Sequence, residues 1–297
     1  MAKQPTWLVD FKRDVHSQAG EDGIVEKIFQ ILPASDRWCV EFGAWDGLHL
    51  SNTRYLIETR GYSAVLIEGS AAKFDELRQN YAANRNVFGL HAFVGYTAGD
   101  NLDTLLSKYA IPVDFDFLSI DVDGNDFHIW KAMSKYRPKV IVIEFNPTIP
   151  TEVRFVQRAD SAINQGSSLS ALVELGRDQG YELVAALHHN AFFVDAKYFA
   201  LFEINDNRPQ ALRTDLSSIT YIFSGFDGTL FLEGQRKLPW HGVPLMESKI
   251  QHLPKYLRKY PLNFSAAEMI VARAYAGWSF PRRLWHRVQT AFSRRSG

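Results

Sequence analysis

The chain has 297 residues, 46% of them hydrophobic and 22% charged, with 33 basic and 33 acidic side chains and a formal net charge of zero. That length and composition suit a folded chain with one large α/β domain, or one domain plus an appendage, and exclude a disordered one. The even charge balance weighs against a general nucleic-acid binder.

Cys39 is the single cysteine. It rules out an internal disulfide and reads as a small buried hydrophobe. No apolar run approaches the roughly 18 residues of a membrane span. Met1 to Asp10 carry no signal-peptide pattern, so a cytoplasmic, reducing setting is the expectation.

In chain order, Ser17-Gln18-Ala19-Gly20-Glu21-Asp22-Gly23 is polar and leads into Ile24 to Phe29, whose apolar spacing is helical. Its acids suit either the first turn of a helix or a ligand. Trp38-Cys39-Val40-Glu41-Phe42 reads as a buried parallel strand that ends in an acid. It delivers its end to a Gly-rich turn, Gly43-Ala44-Trp45-Asp46-Gly47. The pattern Glu-x-Gly-x-x-x-Gly looks like the first motif of class I S-adenosylmethionine-dependent methyltransferases. Ser51-Asn52-Thr53 is an N-cap for a helix through Tyr55, Leu56 and Ile57, which Gly61 ends.

Ser63 to Glu68 is a second buried strand, one βαβ unit after the first, again ending in an acid. An acid there accepts hydrogen bonds from both hydroxyls of a ribose, or else starts the next helix. The pattern then predicts a helix over 70–83, a strand over 86–94, a helix over 102–109 and a fourth strand over 116–120. That strand runs into Asp121-Val122-Asp123-Gly124-Asn125-Asp126. A helix over 127–135 and a fifth strand over 138–143 follow, the strand ending in Glu144-Phe145-Asn146-Pro147. Gly166-Ser167-Ser168 caps a helix through Leu175, and Gly180 ends it. Tyr181 to Leu187 is a sixth strand. His188-His189-Asn190 is a turn, and Ala191 to Val194 pairs back as a seventh.

Strands alternating with helices imply a Rossmann-like, doubly wound α/β fold: a seven-stranded, mostly parallel sheet with an antiparallel last strand. The sheet domain is expected over 1–200 and a helical C-terminal extension over 201–297. In that extension Ser218 to Phe223 is a strand or an edge, and Leu238 to Gly242 a rigid aromatic loop. Residues 265–293 look helical but broken at Pro281. The basic and aromatic end, from Arg282 to Arg295, has three readings: an anionic membrane surface, a partner protein, or a solvated helix packed on the body. Ligands in such sheets lie off the carboxyl ends of the strands. Four of those ends carry acids, Glu41, Glu68, Asp121 and Glu144, which marks that edge as the active site.

Ile120-Asp121-Val122-Asp123-Gly124-Asn125-Asp126 resembles the I-D-V-E-G-x-E segment of FkbM-type methyltransferases. The resemblance extends to Val142-Ile143-Glu144, to Ser17 through Gly23, and to Asn190-Ala191-Phe192-Phe193-Val194. It covers roughly residues 15 to 195, with Asp123 and Asp126 standing where the family often has Glu. It implies S-adenosyl-L-methionine as cofactor and a small-molecule or glycan substrate, methylated on a hydroxyl of a sugar or natural product.

An alkyl hydroxyl needs a general base or a metal ion to become a nucleophile near neutral pH. Asp121 is the best-placed carboxylate for either role. Asp121 with Glu144 and Asn146 resembles the magnesium site of catechol-type O-methyltransferases. Oxygen ligands suit Mg²⁺ or Mn²⁺, with Ca²⁺ also open, and the same carboxylates can bind substrate hydroxyls. Asp123 and Asp126 either add ligands or cap the next helix. His188 or His189 is the base if no metal binds, or else both are solvated turn residues; His128 reads as structural. For the adenosyl site the candidates are Glu41, Gly43, Gly47 and Glu68, with Gln18 and Asn52 for the methionine part.

Three rival readings remain. A nicotinamide-dependent dehydrogenase lacks its G-x-G-x-x-G here. A nucleic-acid methyltransferase lacks a basic stripe. A catalytically inactive carbohydrate-binding or scaffolding module would keep the fold and bind no cofactor.

Overall fold

A computed structural model describes residues 3–33 and 36–277. Its first unit runs to Leu216. In it α1 (Glu21–Ile31) precedes β1 (Trp38–Phe42), α2 (Arg54–Arg60), β2 (Ser63–Glu68), α3 (Ala71–Asn80) and β3 (Val87–His91). Then come α4 (Leu102–Leu106), β4 (Phe117–Ile120), α5 (Asp126–Ala132), β5 (Val140–Glu144), α6 (Leu169–Asp178), β6 (Tyr181–Ala186) and β7 (Asn190–Asp195). The seven strands form one sheet in the order β3-β2-β1-β4-β5-β7-β6. All pairs are parallel except those of β7, which runs antiparallel between β5 and β6.

The central strands are continuous apolar runs because both faces of the sheet are covered. On one face Val40, Phe42, Val65, Ile67, Leu118, Ile120, Ile141 and Ile143 pack with Leu106 of α4, Trp130 of α5 and Leu172 of α6. On the other, Cys39, Ala64, Leu66, Phe117, Val140 and Val142 pack with Leu8, with Ile24 and Ile28 of α1, and with Tyr55 and Leu56 of α2. Cys39 is a buried core atom, and burial pushes its thiol up.

The first unit extends past the expected boundary at residue 200. Phe202 and Leu212 are fully buried. The buried Arg213 donates to the carbonyls of Pro147 at 2.5 Å and Ile149 at 2.7 Å, tying this segment to the loop after β5. The second unit starts at Ser217. It opens with an antiparallel hairpin, β8 (Thr220–Ser224) and β9 (Leu230–Gly234), and not with helix. The basic and aromatic stretch from Arg282 to Arg295 lies outside the described residues. No described helix is long and apolar enough to cross a membrane.

Candidate active site at the carboxyl edge of the sheet

Side chains alternate between the faces of a strand. Glu41, Glu68 and Glu144 each stand two residues beyond a side chain of the α1-facing layer: Cys39, Leu66 and Val142. Asp121 continues the same series from Phe117 through Ser119. The four acids therefore share one face of the sheet at its carboxyl edge.

On the β1–β2 side the acids are occupied by the protein. Glu41 is buried and accepts from Ser51 Oγ at 2.5 Å, Thr53 Oγ1 at 2.6 Å and the Asn52 amide at 2.9 Å. Burial raises its pKa and these donors oppose the rise. The Asn52 side chain donates to Ser119 Oγ at 3.1 Å, which ties the turn after β1 to β4. Glu68 accepts the amides of Trp45 at 2.8 Å and Ser70 at 2.6 Å, clamping the turn after β1 to the start of α3. A carboxylate has about four lone-pair sites, so Glu68 keeps acceptor capacity for a ribose.

The two glycines of this turn are required by their backbone conformation and by close protein neighbours. Gly43 has φ +72, and a Cβ there would come within 1.9 Å of the Asp121 carbonyl oxygen. Gly47 has φ +75, and its Cβ would meet the Tyr81 ring at 2.7 Å. The space that their missing side chains free is filled by protein.

On the β4–β5 side the acids face one another. Carboxylate oxygens of Asp121, Asp123 and Glu144 lie within 4.8 Å of each other. Burial raises Asp121 and Glu144 well above the usual carboxylate range, and the neighbouring carboxylates add to it: Asp126, Asp123 and Glu41 act on Asp121, and Asp121, Asp126 and Asp123 on Glu144. Asp123 is exposed and has φ +55, a conformation that costs a non-glycine residue energy. Its loop is held by Asp126, whose two oxygens accept the amides of Val122 at 3.0 Å and Gly124 at 2.9 Å. Asp126 is thus a loop organiser; burial raises it to about 6.

Asn146, expected beside the acids as a metal ligand, has its side chain engaged by the protein. Its Oδ1 accepts both the amide and the hydroxyl of Thr148, at 2.8 and 2.7 Å, and its Nδ2 donates to the Gln165 carbonyl at 2.7 Å. Asp123 supplies a third oxygen converging with those of Asp121 and Glu144. His188 Nδ1 lies 2.9 Å from Asp215. His189 is partly buried, which lowers its pKa and favours the neutral ring. His128 is structural, with Nε2 2.7 Å from the Gln157 carbonyl.

The turn before α1 and the start of β7 complete the edge. The turn before α1 closes on Asp22, whose Oδ2 accepts the amides of Val15, His16 and Ser17 at 2.9, 2.7 and 2.9 Å. Glu21 beside it accepts from Asn190 Nδ2 at 2.9 Å. Asn190 is the cross-strand partner of Glu144. Since the Phe145 amide bonds the His189 carbonyl, the Glu144–Asn190 pair is the non-hydrogen-bonded kind, with side chains closest and on the same face. Asn190 Oδ1 and Asp22 Oδ1 are buried and have no hydrogen-bond partner among the described residues. Gln18, on the same turn, is exposed. The signal in the sequence was the pair of segments, Ser17 to Gly23 and Asn190 to Val194, that accompany the Asp121 motif.

Residues 100–183 match the family described as the methyltransferase FkbM domain. No curated protein matches the sequence. Solved structures similar to this chain include the N-terminal domain of EvdMO1 with SAH bound, at 11% identity and a TM-score of 0.39, over 59% of this chain and 80% of that one. A SAM-dependent methyltransferase from Aquifex aeolicus matches at 11% identity and a TM-score of 0.37, over 65% and 99%. The precorrin-6y C5,15-methyltransferase of Geobacter metallireducens matches at 18% identity and a TM-score of 0.36, over 63% and 92%.

Proposed function

We propose, from the FkbM-type methyltransferase domain matched over residues 100–183, that this chain is an S-adenosylmethionine-dependent O-methyltransferase acting on a hydroxyl of a sugar or glycan. The observation that carries the reading is the convergence of Asp121, Asp123 and Glu144 at the carboxyl edge of the sheet. The cofactor, when bound, supplies an electrophilic methyl group. An acid-lined edge complements its cationic sulfonium and ammonium, and Glu68 keeps lone pairs for its ribose, so the residues present fit it.

Asp121 accepts the proton of the attacking hydroxyl, and Glu144 shares it through the hydrogen bond between the two carboxyl groups. Asn190 Oδ1 and Asp22 Oδ1 supply acceptors for hydroxyls elsewhere on a polyol. His189, kept neutral by burial, is a second candidate for the base. Asp121, Asp123 and Glu144 also form an oxygen-only donor set that fits Mg²⁺ or Mn²⁺. A cation held there would lower the hydroxyl's pKa.

Calorimetric titration with S-adenosylmethionine tests the reading, on the wild type and Glu68→Ala, with and without EDTA. Saturable binding weakened by Glu68→Ala leads to a screen of sugar acceptors with and without Mg²⁺. A folded sample that binds no cofactor overturns the reading in favour of an inactive carbohydrate-binding or scaffolding module.

A further inference from the structure

We propose that the segment beginning at residue 217 is a docking unit for an anionic lipid surface, with the tip of the β8–β9 hairpin as its inserting element. The formal neutrality of the chain hides a division. From Ser217 onward there are 12 Lys and Arg against 4 Asp and Glu; up to Leu216 there are 21 against 29. The excess positive charge lies wholly in the unit that carries no part of the acidic edge.

That unit also carries large apolar side chains in water. Phe226, in the turn between β8 and β9, is 90% exposed, and Trp240 is 65% exposed. Ile222 and Phe223 on β8 are more than half exposed as well. The turn that presents Phe226 is preorganised. The Gly225 amide bonds the Thr229 carbonyl at 2.8 Å, and Asp227 accepts both the amide and the hydroxyl of Thr229 at 2.9 and 2.8 Å. Beneath it Phe223 and Phe231 stack with centroids 5.4 Å apart. An aromatic held out on a built turn enters an interface without first being ordered.

Aromatic and aliphatic side chains beside Lys and Arg are the chemistry of a headgroup boundary, where the rings sit among acyl ends and the cations meet phosphates. Charge complementarity picks the anionic surface over a neutral one. Aromatic rings also stack on unpaired bases; the aliphatic Ile222 exposed beside them has no stacking face and picks lipid over nucleic acid.

The test is co-sedimentation of the full chain with phosphatidylcholine vesicles and with vesicles containing about one-third phosphatidylglycerol, at low salt and near 1 M salt, where the Debye length is only about 3 Å. The expected result is at least fivefold more protein on the anionic vesicles, most of it released by salt. Phe226→Ser and Trp240→Ser should each lower the bound fraction severalfold. Phe226 makes so little contact with the protein that its loss leaves the fold intact, which circular dichroism of the variant checks. Equal binding to neutral and anionic vesicles, no binding to either, or binding indifferent to both substitutions overturns the proposal. So does gel filtration showing an oligomer that Phe226→Ser dissolves, which would put a second copy of the chain on this surface. Tight binding of single-stranded RNA by the wild type and Phe226→Ser alike would overturn it too, by giving the charge a different partner.

Discussion

The two halves of the sheet edge carry the same kind of residue in the same kind of place, yet they are wired oppositely. At the ends of β1 and β2, Glu41 has three donors and Glu68 two, all from the protein. At the ends of β4 and β5, Asp121 and Glu144 have each other, and Asp123 sits close by. A carboxylate supplied with donors holds loops in place. One set against another carboxylate raises the energy of the fold, and chains keep such an arrangement where chemistry needs it. The first half is scaffold for the second: Asn52, beside Glu41, reaches Ser119, two residues before Asp121.

Removing Asp121 is the sharpest way to break this comparison. Asp121→Asn should lower kcat for methyl transfer by about 10²- to 10⁴-fold, the range for a general acid or base, while cofactor binding by calorimetry stays within a few fold. Equal activity in the variant would place the chemistry elsewhere, with His189 next to be replaced. Glu41→Ala should do the reverse. It strands two hydroxyls and an amide in a buried pocket and should cost about 2–4 kcal/mol in urea unfolding.

The third prediction turns on pH. The folded pKa values of Asp121 and Glu144 lie above their unfolded ones. The stability they contribute is therefore present below the ordinary carboxylate range and lost as pH rises through their elevated range. Asp121→Asn should then stabilise the protein by about 1 kcal/mol at pH 8, with the gain fading below about pH 4, read as the difference in Tm between variant and wild type across that range. Added Mg²⁺ or Mn²⁺ should raise the wild-type Tm at pH 8 and leave the variant's nearly unmoved; a cation shift of equal size in both would remove Asp121 from the metal set. The smallest effect belongs to Asn146. Asn146→Ala should leave the response of activity to added Mg²⁺ unchanged within about twofold, because its oxygen is already bonded to Thr148.

What the sequence showed and what it hid follow from the range of the interactions. The strands were legible because burial on both faces leaves unbroken apolar runs. The acidic edge was legible because each acid ends such a run. Asn146 follows Glu144 closely and has ligand chemistry, but the group that occupies its oxygen, Thr148, is two residues away and carries no mark of that role in the sequence. The roles of Gly43 and Gly47 were hidden because the groups that fill their space, the Asp121 carbonyl and the Tyr81 ring, come from elsewhere in the chain. The boundary at residue 200 fell short because Phe202, Leu212 and Arg213 are scattered anchors with no periodicity. The segment Thr220 to Ser224 could be read as a strand, but its partner Leu230 to Gly234 was not seen.

The bond between Glu21 and Asn190 spans 169 residues of chain. During synthesis the turn before α1 leaves the ribosome ahead of every strand of the sheet, and its partner emerges only after six of the seven strands. Since β7 lies between β5 and β6, the sheet cannot close until that hairpin folds back. The site is thus assembled last from its oldest and youngest pieces. A chain halted between residues 145 and 189 would hold Asp121 and Glu144 and still lack Asn190 beside them, so incomplete products of that length should be folded in part and inert.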